Sequence, residues 1–124
     1  MRINEAINRL DSLKSNTYTQ EDKVDWLSRL DNMVKRQIID THEGAESVSF
    51  TGYTSDTPLD TDLLVPAPYD EMYLRWMEAQ IDYHNGEYDK YNNAIIMFNT
   101  AFEAYQRHYN NTHKPVSRGR RFMF

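Results

Sequence analysis

The chain has 124 residues, enough for one domain with a modest core. It contains no cysteine, which excludes disulfides and thiolate metal sites and fits a reducing compartment. The net charge of −5 hides an asymmetry: all 19 acidic residues lie within 1–112, and Lys114, Arg118, Arg120 and Arg121 follow with no acid among them, so the body is a poor match for the phosphates of DNA. No apolar run follows Met1-Arg2 and none approaches a bilayer span, so the expectation is a soluble protein without a signal peptide, made in a cytoplasm and free of membrane. Nine Tyr, five Phe and two Trp supply the apolar bulk, and tyrosine, with its polar tip, suits half-buried faces and interfaces.

Ile3, Ala6, Ile7, Leu10 and Leu13 recur at helical spacing and predict a first amphipathic helix over 2–14. Ser15-Asn16-Thr17 breaks it. Thr19 then stands as an N-cap before Gln20, Glu21 and Asp22, where the helix dipole favours acids. Trp26, Leu27, Leu30, Met33, Val34 and Ile38 give the second helix one broad apolar face, running to about Thr41 or Glu43 and stopping at Gly44.

Residues 44–68 change character. Ser47-Val48-Ser49-Phe50 alternates like a short strand, either part of a local hairpin or added to a neighbouring subunit's edge, and Thr51-Gly52-Tyr53 reads as a turn. Residues 55–62 are polar and acidic, and Leu63, Leu64 and Val65 form an apolar clamp before Pro66-Ala67-Pro68. The apolar members Val48, Phe50, Tyr53, Leu63 and Leu64 are candidates for a contact between subunits. A third helix follows Pro68, with Tyr69, Met72, Tyr73, Trp76, Met77 and Ile81 on its buried face, and Asn85-Gly86 ends it.

In the fourth helix Tyr88, Tyr91, Ile95, Phe98, Phe102, Tyr105 and Tyr109 alternate at spacings of three and four. That pattern holds seven bulky groups on one seam against the third or second helix, or against the core and another subunit together. Asn92 and Asn99 lie beside the stripe. Pro115 marks the exit. The fold expected is all-α: a small bundle of four helices in a domain of residues 1–113, with a long acidic loop at 44–68 and an extended arm at 114–124.

No catalytic or metal signature stands out. His42-Glu43-Gly44-Ala45-Glu46 lacks the second histidine of the zinc-protease pattern. His84 and His108 can meet across the hairpin but have no visible third and fourth ligands. Asp56, Asp60 and Asp62 lack the glycine and distal glutamate of a calcium loop. No phosphate loop or nucleophile elbow is present, so neither an enzyme nor a bound cofactor is expected. The arm carries the strongest binding signal. Arg118, Arg120, Arg121, Phe122, Met123 and Phe124 are the residue types that anchor protein interfaces, weighed here against a simple disordered terminus. A small helical regulator touching nucleic acid through the basic tail is the alternative, against which the acidic body and the lack of a basic recognition helix both count.

The run Leu63-Leu-Val-Pro-Ala-Pro-Tyr-Asp-Glu-Met-Tyr, continuing to Tyr91-Asn-Asn, is similar to small proteins from the head-morphogenesis region of tailed bacteriophages and prophages of Gram-positive bacteria. Asp40-Thr-His-Glu-Gly and Tyr109-Asn-Asn-Thr-His extend the similarity over roughly residues 20–113. The chain thus resembles head–tail connector (adaptor) proteins. The resemblance implies a helical bundle that assembles as a ring, typically twelve-fold, beneath the portal protein in the virion neck. Such a ring extends the DNA channel, lets DNA pass without sequence-specific binding, and docks the stopper or tail-completion protein. It also implies that residues 114–124 grip the portal and that loop 44–68 lies near neighbouring subunits or the channel.

Overall fold

The computed structural model describes residues 1–116, and these form an all-α bundle. Four α-helices carry it: α1 (Ile3–Leu13), α2 (Gln20–Gln37), α3 (Glu71–His84) and α4 (Tyr88–Thr112). Among the described residues no helix is long and apolar enough to cross a membrane.

Helix α1 buries Ile3, Ala6, Ile7 and Leu10. Its first free amides are capped from far away in sequence: Ile3 N–H donates to the Thr61 carbonyl at 3.0 Å, and Asn4 N–H to the Leu59 carbonyl at 2.9 Å. Helix α2 starts in a capping box, with Asp22 N–H donating to Thr19 Oγ1 at 3.1 Å and Thr19 N–H to Asp22 Oδ2 at 3.4 Å. It ends at Gln37, short of the expected Thr41, because the chain tightens there into the 3-10 turn Ile39–Thr41.

Residues 47–50, expected as a strand, do not form one. Gly44 takes φ 89°, and the chain winds into a second 3-10 turn, Ala45–Ser47, closed by Ser47 N–H on the Gly44 carbonyl at 3.0 Å. Among the described residues no backbone edge faces Val48 to Phe50, and the isolated bridges are Arg2 with Asp62 and His42 with Pro115. Helix α3 begins at Glu71, so Tyr69, expected on its buried face, sits ahead of it and is half-buried against Tyr105 and His108. At its other end Glu87 N–H donates to the Asp82 carbonyl and Gly86 N–H to the Tyr83 carbonyl, a Schellman closure with Gly86 at φ 75°.

Helix α3 is the centre of the bundle, packed on by α1, α2 and α4. It buries side chains in several directions, among them Met72, Tyr73, Leu74, Met77, Ala79 and Ile81. Ion pairs hold α1 to it, Arg9 to Glu71 at 2.5 Å and Lys14 to the buried Asp82 at 2.5 Å. A third pair, Lys23 to Asp11 at 2.7 Å, ties α1 to α2, and the Lys23 ammonium holds the Asp11 carboxyl below its ordinary value. Helix α2 joins α3 where Trp76 Nε1–H donates to the Trp26 carbonyl at 2.8 Å.

The stripe on α4 packs against α3 but is not buried throughout. Phe98, Tyr105 and Tyr109 are buried, Tyr91, Ile95 and Phe102 are half-buried, and Tyr88 is 60% exposed. Asn92 and Asn99 are exposed. Phe98 meets Trp76 with ring centroids 5.1 Å apart, at the point where α2 also reaches α3. Phe98→Ala should therefore cost about 3–5 kcal/mol in urea unfolding, whereas Asn92→Ala should stay within about 0.5 kcal/mol. Equal effects of the two would mean that α4 is rotated from the register described.

Candidate functional site

The connection between α2 and α3 is laced to both helices through one buried carboxylate, Asp31, which has no exposed surface. Asp31 lies on the apolar face of α2, between Leu27 and Val34. Tyr53 Oη–H donates to Oδ2 at 2.5 Å, Tyr73 Oη–H donates to Oδ1 at 2.6 Å, and Leu64 N–H donates to Oδ2 at 3.1 Å. The Tyr73 hydroxyl also accepts Val65 N–H at 2.8 Å. Nearby, Tyr53 N–H donates to Ser28 Oγ at 3.0 Å, and Gly52 (φ 111°) passes so close that a Cβ there would stand 3.2 Å from the same oxygen.

Burial pushes the Asp31 carboxyl above its ordinary value, and the bonds from Tyr53, Tyr73 and Leu64 pull against that shift. Burial and the neighbouring carboxylate raise both tyrosines, Tyr53 and Tyr73. Hydroxyls held as donors beside an enclosed carboxylate make a structural knot, not a proton-transfer site open to substrate.

The interface candidates fall around this knot. Tyr53 and Leu63 are buried within the chain's own core, while Val48, Phe50 and Leu64 are half-buried against it. Phe50 packs edge-on to Tyr53 at 4.9 Å. Arg118, Arg120, Arg121, Phe122, Met123 and Phe124 lie outside the described residues.

The root of the expected arm is within them, and it is pinned. Glu43 N–H donates to the Lys114 carbonyl at 2.7 Å, Val116 N–H donates to the Thr41 carbonyl at 3.1 Å, and His42 bridges Pro115 between them. His42 is itself buried, its Nδ1 2.7 Å from the Ile38 carbonyl and its ring edge-on to Tyr109 at 4.9 Å. Since a carbonyl only accepts, Nδ1 carries the proton. His113 stacks on the same tyrosine at 3.7 Å. Asp40, Glu43 and Glu46 surround Val116, and Lys35 pairs with Asp40.

The other histidines do not come together. His84 lies beside Trp26 and Tyr18 near the α3–α4 turn, and His108 stacks on Tyr69 at the far end of the antiparallel pair. Among the described residues no group of three or more His, Asp or Glu side chains is placed to hold a metal ion. Asp56 and Asp60 are exposed, and Asp62 pairs with Arg2 at 3.7 Å.

Asp31 and the pinning of Lys114 to Val116 were missed in the sequence. The first had a usable signal, an acid at an apolar position of the α2 face. The second had none, since it depends on residues 41 and 116 meeting in space.

Asp31→Ala would strand two hydroxyls and an amide and should cost about 3–5 kcal/mol, with Asp31→Asn less severe. The native carboxyl binds its proton more tightly than the ordinary carboxyl value of 3.8. Its stabilising share is thus complete below that value and is lost as pH rises through the native one. Urea midpoints should therefore show the parent protein losing stability relative to Asp31→Asn as pH rises from about 4 toward neutrality. A pH-independent difference would mean that the carboxyl does not titrate above its unfolded value.

No family model matches the chain, no curated protein matches it, and no solved structure matches it.

Proposed function

We propose that this chain is a structural head–tail connector (adaptor) of a tailed phage. In this reading subunits assemble as a ring beneath the portal protein in the virion neck, extend the DNA channel and dock the stopper or tail-completion protein. The residues from 114 onward form an arm that grips the portal, with Arg118, Arg120, Arg121, Phe122, Met123 and Phe124 as its anchors, and the acidic 44–68 loop faces neighbouring subunits or the channel. The mechanism is geometric and involves no catalysis or cofactor.

The observation that carries the reading is the pinned root at Lys114 to Val116. Two backbone hydrogen bonds and a buried histidine fix the point from which a basic, aromatic segment leaves a rigid bundle. Such a tether keeps its anchors at high local concentration near anything docked on that end. The acidic body supports the channel role, because a surface poor in phosphate contacts lets DNA slide. The buried acids Asp31 and Asp82 support a scaffold, since they bind other parts of the same chain.

A pull-down from the producing host would compare the full chain with a version ending at Val116, which keeps both root hydrogen bonds. The full chain should recover a portal protein, identified by mass spectrometry, and the shortened one should recover at least about tenfold less. Equal recovery would remove the arm from the mechanism. Recovery of DNA in a salt-sensitive manner, with no portal, would replace the adaptor by the nucleic-acid reading.

A further inference from the structure

We propose that the outward face of α4 is a self-recognition surface, on which a second copy of the chain packs its own α4 in the reverse direction. The proposal concerns the free protein and is independent of the adaptor reading.

Among the helices of the described residues, α3 is the one extensive neighbour of α4. From Tyr91 to Phe102 the helix carries no charged side chain, although 27% of the whole chain is charged. Loss of charge from an exposed face is the compositional mark of an interface core. At 100° per residue, Asn93, Ile96, Met97 and Thr100 lie away from the α3-facing stripe, and on one flank Asn93 and Met97 line a shallow groove with Lys14, Arg75, Glu78, Asp82 and Lys90. Ile96 is 61% exposed and Met97 is 48% exposed.

The charges that bracket this neutral face name its occupant. Asp89 and Arg107 stand at its two ends, 18 residues apart, which is five helical turns, so both point the same way. Both are exposed, and neither has an ion-pair partner among the described residues. A second α4 laid parallel would set acid on acid and base on base. Laid in reverse, it sets Asp89 against the copy's Arg107 at one end and Arg107 against the copy's Asp89 at the other. This is the self-complementarity that a two-fold axis requires. The axis then passes beside residue 98, and the two Met97 side chains lie within about 3 Å of each other along the helix direction. Glu103, at the edge of the face, meets the neutral Asn93 of the copy. One helix face is a small interface, so the association is reversible and weak.

Sedimentation of the full chain from micromolar to about millimolar concentration tests this, the range in which small interfaces associate. A concentration-dependent dimer is expected. Met97→Glu should weaken it at least tenfold, and so should Asp89→Arg. The double exchange Asp89→Arg with Arg107→Asp should restore it. Because the chain has no cysteine, Met97→Cys gives a second readout: oxidation should yield a disulfide-linked dimer, and Asn92→Cys should not. A monomer throughout the range, or a dimer that ignores the charge exchange and links equally through position 92, would overturn the proposal.

Discussion

The Asp31 carboxylate lies wholly buried between α2, α3 and the connection that joins them, and three donors converge on it. A carboxylate so placed is costly unless its oxygens are satisfied, and the groups that satisfy it are what the fold must bring together. Tyr53 arrives from the connection, Tyr73 from α3 and the Leu64 amide from the clamp. Through its hydroxyl, Tyr73 also takes the next amide, that of Val65. An irregular segment thus has its main-chain donors met inside the protein without forming a strand. The consequence runs further, because the same segment offers the carbonyls of Leu59 and Thr61 to the first amides of α1. Asp31 thus holds residues 64–65, and a few residues earlier the same connection caps α1 at the start of the sequence.

Helix α3 buries side chains against three neighbours, and the ion pairs bear on how they are arranged. Hydrophobic area alone would let α1 slide along the α2–α3 groove. The Arg9–Glu71 pair, half exposed, and the Lys14–Asp82 pair, with its acid enclosed, advance in the same sense, by about one and a half turns along α1 and about three along α3. Only an α1 that runs in the same sense as α3, in one register, makes both. The exposed pair adds little stability, whereas the enclosed one penalises every arrangement that leaves Asp82 unpaired.

Much of this was legible before the structure. Local signals served well: the apolar spacing of α1 and α2, the Thr19 cap, and the Asn85-Gly86 stop all describe residues that interact within a few positions of themselves. The failures share a cause in long-range pairing. Residues 47–50 alternate like a strand, but alternation supplies a face and not a partner edge, and a 3-10 turn after Gly44 removes the first of them from extended structure. The amides of α1 are capped across nearly sixty residues, which no local box announces. The seven-residue stripe on α4 gave the correct face but not how far it is covered. It is fully covered at Phe98, Tyr105 and Tyr109, where Trp76, Tyr69 and the buried His42 lie against it, and only partly at Tyr91, Ile95 and Phe102. Nearer the turn, α3 is its one extensive helical neighbour.

The packing of α4 leaves two distinct regions. At one end His42, Tyr109 and His113 close the core and hold the root of the basic segment. Along its outward side, α4 leaves Ile96 and Met97 exposed. In the proposed docking, the charge of the segment and its aromatic groups then have separate effects. Opposite charge acts across about 8 Å of physiological solution and governs how fast the segment finds a partner. Burial of Phe122, Met123 and Phe124 acts only on contact and governs how long it stays. A rigid root sharpens both, because it presents the segment from one direction and lowers the ordering cost of binding. A body whose buried acids are all engaged within the chain can serve as such a platform without competing for the segment's partner.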